Sequence, residues 1–74
     1  MNNTINTIKY PNRLKEFRVK LNLKQKDIAY RLNLSNSEDR ISHWENGLMM
    51  PSGSNLLKLA KILEVKAEEI YPEI

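Results

Sequence analysis

The sequence predicts an all-α domain of five short helices, and two patterns carry this prediction. Apolar residues recur three and four positions apart in several segments, which is the spacing of one face of a helix. No segment of convincing length alternates between apolar and polar residues, as a half-buried strand would. With 74 residues the chain has the length of one domain, so we expect a compact helical unit without repeats or linkers.

The composition excludes several functional classes. The chain has no cysteine and one histidine, which excludes disulfides, thiolate metal sites and multi-histidine zinc sites. It has no glycine-rich phosphate loop and no nucleophile paired with a base, so we expect neither an enzyme nor a cofactor. No apolar run reaches the length of a membrane span, and the N-terminus lacks a signal-peptide pattern. We therefore expect a cytoplasmic protein without a membrane partner.

The charges are divided unevenly along the chain. Residues 1–31 contain 8 Lys and Arg against 2 Asp and Glu, a formal charge of +6, whereas residues 32–74 carry −3. A basic half within a small domain indicates a polyanionic partner. The alternative is that these Lys and Arg side chains simply solvate helix surfaces.

Residues 1–11 are predicted to form a flexible N-terminal arm, and residues 12–74 the folded domain. The arm is rich in Asn and Thr and shows no apolar period. Ile5 and Ile8 are apolar enough to dock on the core or on a second copy of the protein.

The first helix is predicted from about Asn12 to Leu21. Pro11 favours a helix start, and Asn12 is a plausible cap or first-turn residue. Leu14, Phe17 and Leu21 form its apolar stripe.

The second helix is predicted from about Gln25 to Leu32, with Ile28, Ala29 and Leu32 facing inward. Lys24 is a poor cap, so this helix start should fray or lean on another element.

The third helix begins after a turn in which Leu34 is apolar enough to reach the core. Ser35 followed by Glu38 fits a capping box, and Ser37 is the competing cap. The helix ends near Glu45 or Asn46, before Gly47.

The third helix has two different faces. Ile41 and Trp44 are one turn apart and face the core. At about 100° per residue, a polar row points the other way. With the neighbouring Asn36, this row comprises Asp39, Ser42, His43 and Asn46. A helix built this way is suited to contact a polar partner.

The fourth helix is predicted to begin at Ser52 or Ser54 and to end near Leu63. Leu57 is expected to widen its apolar stripe. The stripe itself consists of Leu56, Leu59, Ala60 and Leu63. A last helix from about Ala67 to Tyr71 is stopped by Pro72.

Several motifs occur in the order found in Cro/repressor-type helix-turn-helix domains: Gln25 to Ala29, Leu32 to Ser35, Ile41 to Gly47, Pro51-Ser52 and Leu56 to Ala60. The chain closely resembles this lambda-repressor-like family of bacterial and phage regulators from about Asn12 to Tyr71. Its most specific part is the Trp44 to Gly47 ending. The resemblance implies a compact five-helix fold in which the second and third helices form the helix-turn-helix.

The resemblance also implies roles for individual residues. Gln25 and Asn46 match positions that contact the DNA backbone, and Arg18 and Glu45 match an ion pair that bridges two helices. A partly buried carboxylate beside Trp44 needs a cation in any case, and arginine can bond it bidentately.

The candidate base contacts are four residues of the polar row, together with the flanking Arg40: Asn36, Asp39, Ser42 and His43. Arg40 is the best candidate for reading guanine through its O6 and N7 acceptors. Its position at the flank of the helix face is equally compatible with a phosphate contact. Lys24 and Lys26 are expected to approach phosphate. For Glu38 and Asp39 the simpler interpretation is stabilisation of the helix dipole.

Three features depart from the family pattern. Five residues separate Ser35 from Ile41 where the family usually has three, so either the turn is longer or the third helix begins earlier. Asn22, Asn33 and Glu64 stand where glycine is common, and Glu64 would be strained at positive φ.

The third departure is the apolar loop Leu48 to Met50, which is often polar or basic in relatives. Met49 and Met50 either contact a second copy or fold onto Trp44.

The function expected from the sequence is sequence-specific binding of double-stranded DNA by a transcriptional regulator, most simply a repressor. Its expected partners are DNA and a possible second copy, and it would associate with the nucleoid when bound. The alternative is a protein-interaction module on the same fold, which would use the acidic C-terminal half and the Met49-Met50 loop.

Overall fold

The computed structural model describes residues 8–74 of the chain. Within these residues the chain forms five α-helices: α1 (Leu14–Lys20), α2 (Gln25–Arg31), α3 (Glu38–Glu45), α4 (Gly53–Leu63) and α5 (Ala67–Ile70). The predicted all-α, five-helix fold is confirmed. Of the predicted arm, the part from Met1 to Thr7 lies outside the described residues.

Side chains that accept backbone N–H groups hold four of the helix starts, and at α5 the Glu69 carboxylate accepts from the Lys66 N–H at 2.9 Å. Asn12 Oδ1 accepts from the Leu14 N–H at 3.0 Å, and Ser52 Oγ accepts from the Asn55 N–H at 3.3 Å. At α2 the cap residue is Lys24, whose ammonium group cannot accept a hydrogen bond. The Asp27 carboxylate instead accepts from the Lys24 N–H at 2.8 Å. Of the two serines predicted to start α4, Ser52 is the cap residue, and the helix begins at Gly53.

Left-handed backbone conformations end several helices and shape the turns. Asn22, Asn33 and Glu64 have φ of 58°, 60° and 61°, which confirms the positive φ expected where relatives carry glycine. Asn36 joins them with φ of 70°. Asparagine tolerates this region better than most residues, whereas Glu64 has no such advantage and carries strain.

The turn between α2 and α3 is long. Helix α3 begins at Glu38, so the extra residues lengthen the turn and do not extend the helix toward Ser35. The capping box predicted at Ser35 is therefore wrong. Ser37 occupies the cap position, but its side chain accepts no hydrogen bond there. Leu34 lies partly buried against the core and anchors the turn from inside.

The core lies between all five helices and contains the apolar residues Leu14, Phe17, Ile28, Ala29, Leu32, Ile41, Trp44, Leu59, Leu63, Ile70 and Tyr71. Two expectations were wrong, because Leu57 is 64% exposed and Leu21 is 38% exposed. Leu21 lies at the end of α1 and turns away from the core, while Arg18 is buried at 8% exposure. Leu56 and Ala60 complete the α4 stripe as partly buried residues.

An apolar groove of about 160 Å³ lies at the C-terminal end of the domain. Met50, Leu56, Tyr71 and Ile74 are among the residues that line it. The Tyr71 hydroxyl has no hydrogen-bond partner among the described residues, and burial raises the pKa of Tyr71 to about 12. Within residues 8–74, no helix combines the length and apolar character needed to cross a bilayer.

Candidate nucleic-acid interface

Helix α3 has one face in the core and the opposite face at the surface. Ile41 and Trp44 are 0% and 2% exposed, because the helix packs against α1 and α2. On the outer face Asp39 and His43 are exposed and Ser42 is half-buried. Arg40 is exposed at the edge between the two faces. The helix therefore shows solvent a polar row while its inner face fixes its position.

A buried ion pair locks α3 to α1. The Glu45 carboxylate accepts hydrogen bonds from Arg18 Nε and, at 3.1 Å, from Arg18 Nη2. The two side chains are only 3% and 10% exposed. Arg18 Nη1 also donates to the Leu23 carbonyl oxygen at 2.7 Å, so the guanidinium is bonded on both sides. Satisfying these groups is essential because an unpaired buried charge is strongly destabilising.

Gln25 joins this network from the first residue of α2. Its Nε2 donates to Glu45 Oε1 at 3.0 Å, so the start of α2 leans on α3 as expected from the poor cap at Lys24. An amide nitrogen carries two hydrogens, and one of them remains for a further acceptor. Gln25 is thus fixed by its bond to Glu45, and one N–H of its side chain remains available as a donor.

The start of α3 lacks comparable bonds among the described residues. Asn36, in the turn, is exposed and adopts positive φ. It lines a cleft of about 320 Å³ together with Lys26 and Tyr30 on α2. The structure therefore brings Asn36 and Lys26, a candidate base contact and a candidate phosphate contact, to the same cleft. Tyr30 is 75% exposed there, and its position in this cleft was not predicted from the sequence.

Charges of both signs are exposed on α2 and α3. Lys24 and Lys26 are exposed near the first turn of α2, and Arg40 is exposed on α3. Glu38 and Asp39 are exposed in the first turn of α3, where negative charge stabilises the positive end of the helix dipole. The face is therefore basic on α2 and mixed on α3.

Another basic residue near α1 is engaged by an intrahelical partner. Arg13 Nη2 bonds Glu16 Oε2 at 2.7 Å, and this hydrogen bond lowers the pKa of Glu16. The Arg13 guanidinium also lies 4.6 Å from the centre of the Phe17 ring. Arg13 is therefore a weaker source of phosphate contacts than Lys24 or Lys26.

The end of α3 is bonded to the segment before α1, a feature that the sequence analysis missed. Asn12 Nδ2 donates to the Trp44 carbonyl oxygen at 2.9 Å, across 32 positions of sequence. The Tyr10 N–H donates to the Gly47 carbonyl oxygen at 3.0 Å. A Pro-Asn pair signals a helix start, but nothing local to it indicates a partner this far along the chain.

Beside this junction, Asn46 Nδ2 donates to Ser42 Oγ at 3.3 Å, one helical turn earlier. Asn46 is exposed, and its bond to Ser42 links the candidate backbone contact to a candidate base contact. The two side chains therefore form one continuous polar edge.

The loop after Gly47 divides its apolar residues between core and surface. Met50 is partly buried against the core, whereas Leu48 and Met49 are 54% and 52% exposed. Of the two adjacent methionines, only Met49 is therefore exposed. The loop surface available to a protein-interaction module consists of Leu48 and Met49.

A family model described as helix-turn-helix matches residues 14–70. The chain belongs to the Cro/C1-type helix-turn-helix family. The match includes α2, the long turn and α3, which are the elements that carry the polar row. Comparisons with curated proteins and with solved structures found no match. This helix-turn-helix protein is accordingly a DNA-binding transcription regulator.

Proposed function

We propose that this helix-turn-helix protein reads a specific double-stranded DNA sequence and represses transcription by occupying it. Helix α3 enters the major groove, and α2 crosses the sugar-phosphate backbone. The observation that supports this proposal is the division of α3 into a buried inner face and an exposed polar row. The major groove, about 12 Å wide, admits a helix of this kind and displays a distinct pattern for each base pair.

The proposed base contacts lie along the outer face of α3 and in the turn before it. Arg40 reaches guanine O6 and N7, for which its guanidinium has the matching donors. Asp39 accepts from a cytosine amino group. Asn36, Ser42 and His43 contact the remaining base edges, where each can donate a hydrogen bond.

The proposed phosphate contacts flank this reading surface. Lys24, Gln25 and Lys26 lie together at the start of α2, and each side chain can donate a hydrogen bond to phosphate. Asn46 contacts the backbone from the C-terminal end of α3. These contacts set the register of the protein on DNA without reading sequence.

Two copies are proposed to bind a pseudo-palindrome whose half-sites lie about one helical turn, roughly 34 Å, apart. The exposure of Leu48 and Met49 directly after α3 supports a contact between copies at this loop. The protein would act in the cytoplasm and associate with the nucleoid when bound to its operator.

The test is selection of bound duplexes from a randomised pool, followed by sequencing, at two salt concentrations. We expect a two-fold symmetric motif and binding that weakens steeply with salt, because phosphate contacts release counterions. Binding without an enriched motif would contradict sequence readout. No binding at low salt would overturn the DNA-binding proposal and favour the protein-interaction module.

Paired variants separate the two candidate functions. Replacing Arg40 and His43 by alanine should abolish selection of the motif. Leu48→Ser with Met49→Ser should weaken the contact between copies but keep the base preference within each half-site. Under the alternative function the first pair would leave partner binding unchanged, and the second pair would remove it.

A further inference from the structure

The segment Ile8–Asn12, here called the strap, lies across the C-terminal end of α3. Its two hydrogen bonds to α3 and the following turn are Asn12 Nδ2 to the Trp44 carbonyl and Tyr10 N–H to the Gly47 carbonyl. Asn12 Nδ2 also donates to the Tyr10 carbonyl oxygen at 2.9 Å, which closes the strap on itself. The Trp44 carbonyl also accepts from the Gly47 N–H at 3.0 Å, so the strap adds a second hydrogen bond to this helix end.

Gly47 shows how closely the strap is fitted. Its φ of 72° is left-handed, and a Cβ there would lie 2.9 Å from the Tyr10 carbonyl oxygen and collide with Ile8 Cγ2. Only glycine accommodates both this conformation and this approach. The strap is therefore packed against the helix end on both sides of residue 9.

Lys9 lies between these two contacts. Consecutive Cα atoms are about 3.8 Å apart, so Lys9 is placed next to the Asn46-Gly47 junction by its own neighbours. Its side chain is exposed, and no carboxylate pairs with it among residues 8–74. The carboxylate on the last residue of α3, Glu45, is already bonded to Arg18 and Gln25.

We propose that Lys9 is a further phosphate-contacting residue, held beside Asn46 by the strap. This proposal rests on the DNA binding proposed above and adds a phosphate contact from the segment before α1, beside the C-terminal end of α3. An ammonium group on a fixed segment neutralises one phosphate and positions the protein without reading a base. Asn12 is the positioning residue, since its side chain donates to Tyr10 within the strap and to Trp44 in α3.

The test measures how the dissociation constant for the selected duplex depends on salt. Lys9→Gln should lower the absolute slope of log Kd against log salt by about 0.9, the value for one phosphate, and weaken all sequences equally. Lys9→Arg should keep the wild-type slope. The matched control is Lys61→Gln on α4, a helix that packs against α2 and α5, and its slope should equal that of the wild type.

A double-mutant cycle tests the strap. Asn12→Asp keeps the acceptor for the Leu14 N–H but removes the donor to the Trp44 and Tyr10 carbonyls. In that background Lys9→Gln should change the slope by much less than 0.9, because Lys9 is no longer held in place. If Lys9→Gln lowered the slope by about 0.9 in both backgrounds, the positioning role of Asn12 would be overturned.

The outcomes distinguish this proposal from the one on which it rests. A wild-type protein that selects its motif, combined with an unchanged slope for Lys9→Gln, would overturn the Lys9 contact and leave DNA reading intact. A wild-type protein that binds no duplex would overturn both. Ile8 in the strap and Leu48 after α3 are both exposed apolar residues, and the rival role for this surface is self-association. Sedimentation of the free proteins therefore belongs in the experiment. Weaker self-association of Lys9→Gln with an unchanged slope would assign Lys9 to that role instead.

Discussion

The two ends of α3 are built differently. At its C-terminal end Glu45 is bonded to Arg18 and Gln25, and Gly47 is fitted against the strap. At its N-terminal end the Ser37 hydroxyl makes no cap bond. The exposed polar side chains there begin in a lengthened turn that contains Asn36. The C-terminal end therefore fixes the helix, whereas the exposed polar side chains at the N-terminal end make no comparable bonds among the described residues.

The largest expected effect comes from removing the charge that fixes the helix end. Glu45→Gln should lower the free energy of unfolding by about 3 kcal/mol, because it leaves the buried Arg18 guanidinium without its counter-charge. Glu38→Gln at the other end should cost less than about 1 kcal/mol, the range of a helix-dipole contribution. Urea denaturation followed by circular dichroism measures both. Equal losses would remove the distinction between the two ends.

The next effect compares two left-handed residues. Gly47→Ala should lower the free energy of unfolding by about 2 kcal/mol or more. The new Cβ would meet the Tyr10 carbonyl, and alanine is also unfavourable at this positive φ. Asn36→Ala should cost only about 1 kcal/mol, since this residue is exposed and the cost is chiefly one of backbone conformation. Thermal unfolding of both variants gives the difference, and a smaller loss for Gly47→Ala would contradict a tightly fitted strap.

A third prediction concerns readout without loss of stability. Asn36→Gly keeps a residue suited to positive φ and removes the side chain, so the fold should persist while discrimination at one base position falls by about 1–3 kcal/mol. Arg40→Ala should act in the same way at a different position. Binding to a panel of single-base variants of the selected duplex measures this. The lysine control Lys26→Ala should instead weaken all duplexes alike.

The smallest effect compares two serine caps. Ser37→Ala should change the free energy of unfolding by less than about 0.5 kcal/mol, because its side chain accepts no cap hydrogen bond. Ser52→Ala should cost about 1 kcal/mol, since its Oγ accepts from the Asn55 N–H. A larger loss for Ser37→Ala would mean that the start of α3 is better capped than the structure shows.

The sequence predicted the inner face of α3 well because Ile41 and Trp44 follow helical spacing and have no other place to be buried. Local sequence rules did not decide which serine precedes α3, because Ser35 and Ser37 both fit the cap position. They also failed at Leu57, whose apolar character suggested burial although no neighbouring helix covers it enough. For Leu57, exposure depends on the arrangement of other elements, which periodicity does not encode.

The candidate site shows the same limit. The polar row follows from helical geometry alone, and the pairing of Arg18 with Glu45 was suggested by family resemblance and by the need of a buried carboxylate for a cation. The bond from Asn12 to Trp44 was not foreseen, because its two residues are 32 positions apart and an asparagine before a helix already has a local role. Contacts of this kind depend on how the first and third helices pack.

The central claim is that α3 reads bases in the major groove, and methylation interference on the selected duplex tests it most directly. Methylation of guanine N7 alters the major groove, whereas methylation of adenine N3 alters the minor groove. We expect methylated N7 within each half-site to block binding and Arg40→Ala to remove that block at one guanine. Interference confined to adenine N3, or none at either atom, would contradict reading by α3.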